Sequence, residues 1–265
     1  MSVILPTPLS RQLHITARIL LLAVLVTAQL SCARGPASEA TPAASPTPTE
    51  QAVVDQILQR YEAALGAKEA LTGITSYKLK GTWELAGMTG TIQSWRKEPF
   101  KTLIVIEFPH IGTLKKGFDG ETRWVQTPEG TFTDSSPQEI AELERDAEVY
   151  NVGRIKSLFE SMKLERKARL SGRDVYVIEG KPAKGPAEKL FFDIENGLLL
   201  RWDMARKQPN RGIVFVKVHL DNYKEVDGVK VPFNVRFVFE SFNFTVKLQE
   251  MQYNVPIDDA IFRKP

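Results

Sequence analysis

Cysteine is all but missing from this chain: Cys32 stands alone among 265 residues. A lone cysteine excludes an intrachain disulfide, so the compartment must be read from other features. Histidine is scarce as well, with three in all. His110 and His219 are the two beyond the leader described below, and neither has a second ligand at metal spacing, so no metal or cofactor is expected. There is no nucleophile elbow and no phosphate-cradling glycine loop. Carboxylates are plentiful, but no pair is set in apolar surroundings that would split their acidities. The enzyme class thus has no positive support, and a non-enzyme is expected. A basic excess is also missing, with 35 Lys and Arg against 32 Asp and Glu, so a nucleic-acid partner is not expected.

What is present begins with an export signal. Arg11 and Arg18 lead into an apolar run over residues 19–28, broken only by Thr27. That run is too short for a spanning helix of about 20 residues, and small residues follow it, as in a secretory signal. Leu30-Ser31-Cys32 resembles the bacterial lipobox, with Gln29 where that pattern prefers an aliphatic residue. The resemblance makes Cys32 the lipid-attachment residue; cleavage after Ala28 would instead leave a free thiol. Pro36, Pro42, Pro46 and Pro48 then punctuate a stretch of Ala, Ser and Thr that cannot enter a core. The expected organisation is a signal at 1–31, a tether at 32–49 and one domain at 50–265.

The densest pattern lies in residues 211–253. Val214, Val216, Val218 and Leu220 alternate with polar neighbours, as do Val229, Val231, Phe233, Val235, Phe237 and Phe239, and then Phe242, Phe244, Val246 and Leu248. The separators, 222–228 and Glu240-Ser241, are too short for crossover helices, which predicts an antiparallel meander. Upstream, Tyr77, Leu79, Trp83 and Leu85 alternate in the same way, with a turn expected at 87–90. Hairpin signals stand at Asp119-Gly120, Glu129-Gly130, Ser171-Gly172 and Asn196-Gly197. Leu103-Ile104-Val105-Ile106 is apolar on both faces, which places that strand between two covers or between a packed element and a cavity.

Helices are expected at three places. Thr47-Pro48-Thr49-Glu50 is a capping box ahead of a stripe at Val54, Ile57, Leu58, Tyr61 and Leu65. Ser136-Pro137-Gln138-Glu139 opens an acidic helix with a thin stripe at Ile140, Leu143 and Ala147, and Asn151 caps a second with Ile155, Leu158, Phe159 and Met162. This pair reads either as a lid or as a permanent cover, with Phe159 and Met162 assigned to the core. In the tail at 255–262, paired Asp258 and Asp259 read as caps. About ten or more hairpin-linked strands tend to curl. The fold class is therefore α+β: a large curved antiparallel sheet, or incomplete β-barrel, with an N-terminal helix and an inserted helical lid.

Phe118-Asp119-Gly120-Glu121-Thr122-Arg123-Trp124, followed by Thr127-Pro128-Glu129-Gly130, is similar to the "DGKTLW…P" hairpin of the LolA and LolB lipoprotein-carrier family. Trp95-Arg96-Lys97-Glu98-Pro99-Phe100-Lys101 resembles the hairpin before it. The architecture over residues 50–253 resembles that family too. The resemblance implies an envelope protein at the outer membrane, facing the periplasm, that binds the acyl chains of lipoproteins or lipids in their sorting. The family's lid arginine and exposed loop leucine have no matching position, and Arg145, Arg154 and Met88 are only unmatched stand-ins. From the apolar pattern, the cavity candidates are Leu79, Trp83, Leu103, Val105, Trp124, Val216, Val218, Phe233 and Phe237. The expected partners are acyl chains, a membrane through the lipidated terminus, and other envelope proteins. A second reading keeps the fold but fills its core, leaving a protein-interaction module or an accessory subunit of a membrane complex.

Overall fold

The computed structural model describes residues 48–134, 152–183, 185–208 and 212–265. The leader, nearly all of the tether, the first helix of the insertion and the Pro209-Asn210-Arg211 turn lie outside them. One compact unit takes in the described chain up to Arg206 and again from Val214 to Pro265.

Helix α1 spans Pro48–Leu65, so the proline of the capping box takes the first helical position, where its missing N–H costs nothing. The short α2, Lys68–Thr72, follows. Thirteen strands come next: β1 (Ser76–Leu85), β2 (Met88–Lys97), β3 (Lys101–Phe108), β4 (Gly112–Phe118), β5 (Arg123–Thr127) and β6 (Gly130–Asp134), then β7 (Ser161–Leu170), β8 (Arg173–Lys181), β9 (Glu188–Asp193), β10 (Leu199–Gln208), β11 (Gly212–Val226), β12 (Val229–Val238) and β13 (Asn243–Tyr253). They form one curved antiparallel sheet in the order β6-β5-β4-β3-β2-β1-β13-β12-β11-β10-β9-β8-β7. The sheet is not closed: β6 and β7 are its edges, and the first strand pairs with the last at its middle.

Several hairpins are tighter than the sequence pattern suggests. Ala86-Gly87, Ser171-Gly172 and Asp227-Gly228 each have two successive positive φ values, 49° and 80°, 50° and 85°, 49° and 79°. Two such residues give a turn whose twist matches that of the strands it joins. Gly90 therefore belongs to β2, and the expected separator at 222–228 shrinks to Asp227-Gly228, with β11 running on through Val226. The second helix of the insertion is corrected as well: only a 3-10 turn forms, Val152–Leu158. Of its predicted stripe Ile155, Phe159 and Met162 are nevertheless buried and Leu158 is half-buried, with Met162 already in β7, because the Glu160 amide donates to Lys181 O at 2.8 Å and starts a strand ladder.

The stripe on α1 is buried as spaced, at Val54, Ile57, Leu58, Tyr61 and Leu65. It lies on one face of the sheet, called the inner face below, among Ile178, Leu190, Phe192, Trp202, Val216 and Val218. Tyr61 meets Phe192 edge to face at 5.2 Å. Arg60 donates to Ile194 O at 3.0 Å, and Gly66 bridges to Val229, which fix the C-terminal end of the helix. Truncating Leu58 removes contacts from a filled core, so Leu58→Ala is expected to cost about 2–5 kcal/mol, read as a lower urea midpoint at unchanged slope.

Candidate binding face

Antiparallel register decides which side chains share a face, since a one-residue slip turns every side chain over. From β1 outward the inner face carries rows. Gly81, Ile92, Ile106 and Leu114 stand opposite one another in one row, and Leu79, Ser94, Ile104, Lys116 and Val125 in the next. A third row holds Tyr77, Arg96, Thr102, Phe118 and Arg123. Across the β1–β13 seam, Trp83 is level with Val246, Val235 and Leu220, and Leu85 with Phe244, Phe237 and Val218.

Six of the nine candidates fall on this face. Leu79, Val216, Val218 and Phe233 are buried in the α1 core, and Phe237 packs against it half-buried. Trp83 is buried over Gly90, where an added Cβ would stand 2.5 Å from the indole Nε1; its ring meets Phe108 at 4.6 Å, and Nε1 donates to Glu107 O at 3.3 Å.

Leu103, Val105 and Trp124 are not with them. They lie on the outer face, in a separate cluster with Phe262 that Trp95, Ile257 and Ile261 pack against. Trp124 sits over Gly117, where an added Cβ would be 2.1 Å from its ring, and its Nε1 donates to Phe262 O at 2.7 Å. The C-terminal 3-10 turn, Asp259–Phe262, is thereby fastened to the outside of β3–β5. Asp258 caps it, accepting from the Ala260 amide at 2.9 Å, whereas Asp259 pairs with Lys97 at 2.8 Å and with Lys101. The expectation that both aspartates cap is thus half right.

The doubly apolar strand resolves in the same way: Leu103 and Val105 lie under the C-terminal segment, and Ile104 and Ile106 point to the inner face. The candidates Leu103 and Val105 are thus outer-face residues. Turn length decides which pair faces inward: with Ala86-Gly87 as the whole turn, Trp83 pairs with Gly90, and Gly81 with Ile92 and then Ile106. Ile92, Ile104, Ile106 and Phe108 are half-buried and belong to none of the buried clusters among the described residues. The inner face is therefore filled by helix at β7–β12, whereas at β2–β4 it carries half-buried Ile92, Ile104, Ile106 and Phe108 outside the α1 core, with Ser94 and Lys116 in the row of Ile104.

Polar groups mark the border of that apolar field. Arg96 is 5% exposed, and burial raises the Tyr77 pKa against the opposing pull of Arg96 and Ser94. On the outer face, burial followed by Arg236 and Arg201 lowers the pKa of half-buried His219. Among the described residues no three of His, Cys, Asp and Glu converge on a metal-sized site. A cleft of about 400 Å³ beside Ser76, Lys97, Glu98, Asn254 and Ile257 is shallow and lies apart from Ile92, Ile104 and Ile106.

No family model matches the sequence, and no curated protein matches it. Solved structures do. A LolA superfamily protein from Nitrosomonas europaea is 13% identical with a TM-score of 0.54, the match covering 79% of this chain and 97% of that one. A DUF1329 family protein from Desulfovibrio piger is 15% identical at 0.52, with the same coverages. A domain from Vibrio parahaemolyticus described as an outer membrane lipoprotein-sorting protein is 11% identical at 0.51, covering 78% and 94%. The chain has the LolA-like fold.

Two outcomes test the outer-face fastening. Trp124→Ala removes a buried ring and a hydrogen bond, and is expected to cost about 3–5 kcal/mol in urea denaturation. Lys101 and then Lys97 hold the Asp259 carboxyl down to about 2. A pKa lowered by folding stabilises the fold above the unfolded value of about 4, and that contribution is lost as pH falls toward 2. Asp259→Asn should therefore lower the midpoint at pH 7, modestly because the group is exposed, and match the wild type near pH 2.

Proposed function

We propose that this chain is a non-enzymatic envelope protein that binds acyl chains of lipoproteins or lipids on its inner face and acts in their sorting or transfer to the outer membrane. The observation that carries the reading is the set of half-buried apolar side chains, Ile92, Ile104, Ile106 and Phe108, aligned in register beyond the region that α1 fills. A binding face needs no reacting group: moving a chain out of water contributes about 0.8 kcal/mol per buried methylene. Open apolar surface beside a packed helical core suits a flexible ligand that slides in without disturbing the fold.

The leader and tether support an anchored version of the same protein. Lipidated Cys32 would hold the domain at the periplasmic side of the outer membrane, with the proline-rich stretch as spacer. Under this reading Leu79, Trp83 and Phe237 stay in the site at its border with the core, whereas Leu103, Val105 and Trp124 serve the outer face. Val216, Val218 and Phe233 support the site from within the core.

The test is native mass spectrometry and lipid extraction on the full chain made in an exporting bacterial host. Wild type is expected to carry acyl lipid or acylated peptide in stoichiometric amount. Ile104→Asp and Ile106→Asp should lose it while keeping the wild-type circular dichroism, and Cys32→Ala should move the protein from the membrane to the soluble fraction. A lipid-free wild type that folds and melts cooperatively would sink acyl binding and leave the protein-interaction reading in its place.

A further inference from the structure

The sheet has two unlike ends. The Ala86-Gly87 turn, the β3–β4 turn at 109–111 and Glu240-Ser241 lie at one end; Asp119-Gly120, Asn196-Gly197 and Asp227-Gly228 lie at the other. We propose that acyl chains enter the inner face at the first end and lie with their methyl ends pointing toward the row of Arg96, a polarity that rests on the reading of the inner face given above.

The second end is shut. Gly66 bridges to Val229 there, and an added Cβ on Gly197 would lie 2.9 Å from Arg60 O, so helix and turns are in direct contact. The last inner row before that end holds buried Tyr77 and Arg96. A methyl terminus can stop against such a row, but a chain entering through it would have to displace buried polar groups, at the cost of their partners.

The first end is apolar and only half-covered. Phe237 stacks on Phe244 at 4.6 Å and Phe239 on Phe242 at 4.4 Å, and Phe239 stands 6.1 Å from Phe244. All four rings are half-buried, as is Leu85, the cross-strand partner of Phe244. These rings lead from the Glu240-Ser241 turn to the level of Leu85, one inner row before Trp83. From Leu85 to Leu79 the path follows six residues of β1, about 20 Å at roughly 3.3 Å per residue, which suits an extended long acyl chain. A head group left at the aromatic end stays in water, so no charge has to be buried.

Helix α1 adds a consequence. Its C-terminal end is held at the shut end, while Asp55, nearer its start, pairs at 2.7 Å with Lys156 beside the start of β7. Pro48 therefore stands toward the open end. An anchor upstream of Pro48 would thus join the domain on the side of the open end.

Trp83 stands at the aromatic end of the path and reports the polarity directly. The full chain is loaded with phosphatidylcholine brominated either near the carbonyl or near the methyl end of its chains, and bound lipid is counted by native mass spectrometry. Trp83→Phe supplies the emission of the other tryptophans. The expected result is loss of Trp83 emission with carbonyl-end bromines and little loss with methyl-end bromines. In addition, Phe242→Glu should slow lipid uptake in a variant that still unfolds cooperatively in urea, and unchanged uptake overturns entry at this end. Bound lipid with the opposite gradient, or with no quenching of Trp83 from either position, overturns the polarity and leaves inner-face binding standing. No bound phospholipid and no bound acylated peptide overturns the acyl reading itself, and the polarity with it.

Discussion

The pairing of the first strand with the last is the constraint on which this fold depends. β1 runs beside β13 from Tyr77–Tyr253 to Leu85–Phe244, and this one seam joins a six-strand meander to a seven-strand one. Without it the chain would make two sheets, each with an uncovered apolar face. The seam also contains an irregularity between Lys80 and Gly81, where β13 carries one extra residue. A Cβ at Gly81 would stand 2.3 Å from Lys247 O, so the close approach requires glycine. The extra residue resets the parity of β13, and Phe244, Val246 and Leu248 share a face with Met251 and Tyr253.

Two covers then divide the two faces. α1 fills the inner face over β7–β12, and the C-terminal turn closes the outer face over β3–β5. The hairpin that resembles the LolA and LolB motif belongs to the second cover. Asp119 Oδ1 accepts from the Glu121 and Thr122 amides at 2.9 and 2.7 Å, Gly120 takes φ 105°, and Trp124 reaches Phe262 O. These are folding roles. The motif thus marks the architecture, and the side chains on the proposed binding face are the less distinctive isoleucines on the other side of the same strands.

Much of this was legible from spacing. Period-two alternation located the strands, and the stripe on α1 was buried residue for residue. Parity across hairpins was less legible, because it depends on turn length to the single residue, and an alternating strand with apolar residues on both sides gives no preference. Trp124 and Leu103 were assigned to a cavity because large apolar residues look alike whether they face a ligand or a terminal segment. Ile155, Phe159 and Met162 have helical spacing, yet a short turn followed by a strand buries the same three. In that case tertiary pairing at Glu160 and Lys181 overrode the local pattern. Asp258 and Asp259 were alike in sequence and differ only through the lysines that β2 and β3 bring to the second of them.

Strand number supplies the reason why part of the inner face lacks a helical cover among the described residues. About eight strands curl tightly enough for side chains alone to fill the interior, and thirteen enclose more than side chains can fill. α1, α2 and the Val152–Leu158 turn supply the missing volume over β7–β12. The edges are kept from pairing with other chains by different means: β6 has five residues, and β7 carries Lys163, Glu165, Arg166, Lys167 and Arg169, with Glu165 paired to Arg166 and Lys189. A sheet held open in this way, with helix over one half of its interior, leaves the isoleucine rows of β2 and β3 half-buried and outside the α1 core. Covering that surface with a flexible apolar ligand would require no rearrangement of the core that α1 has already completed.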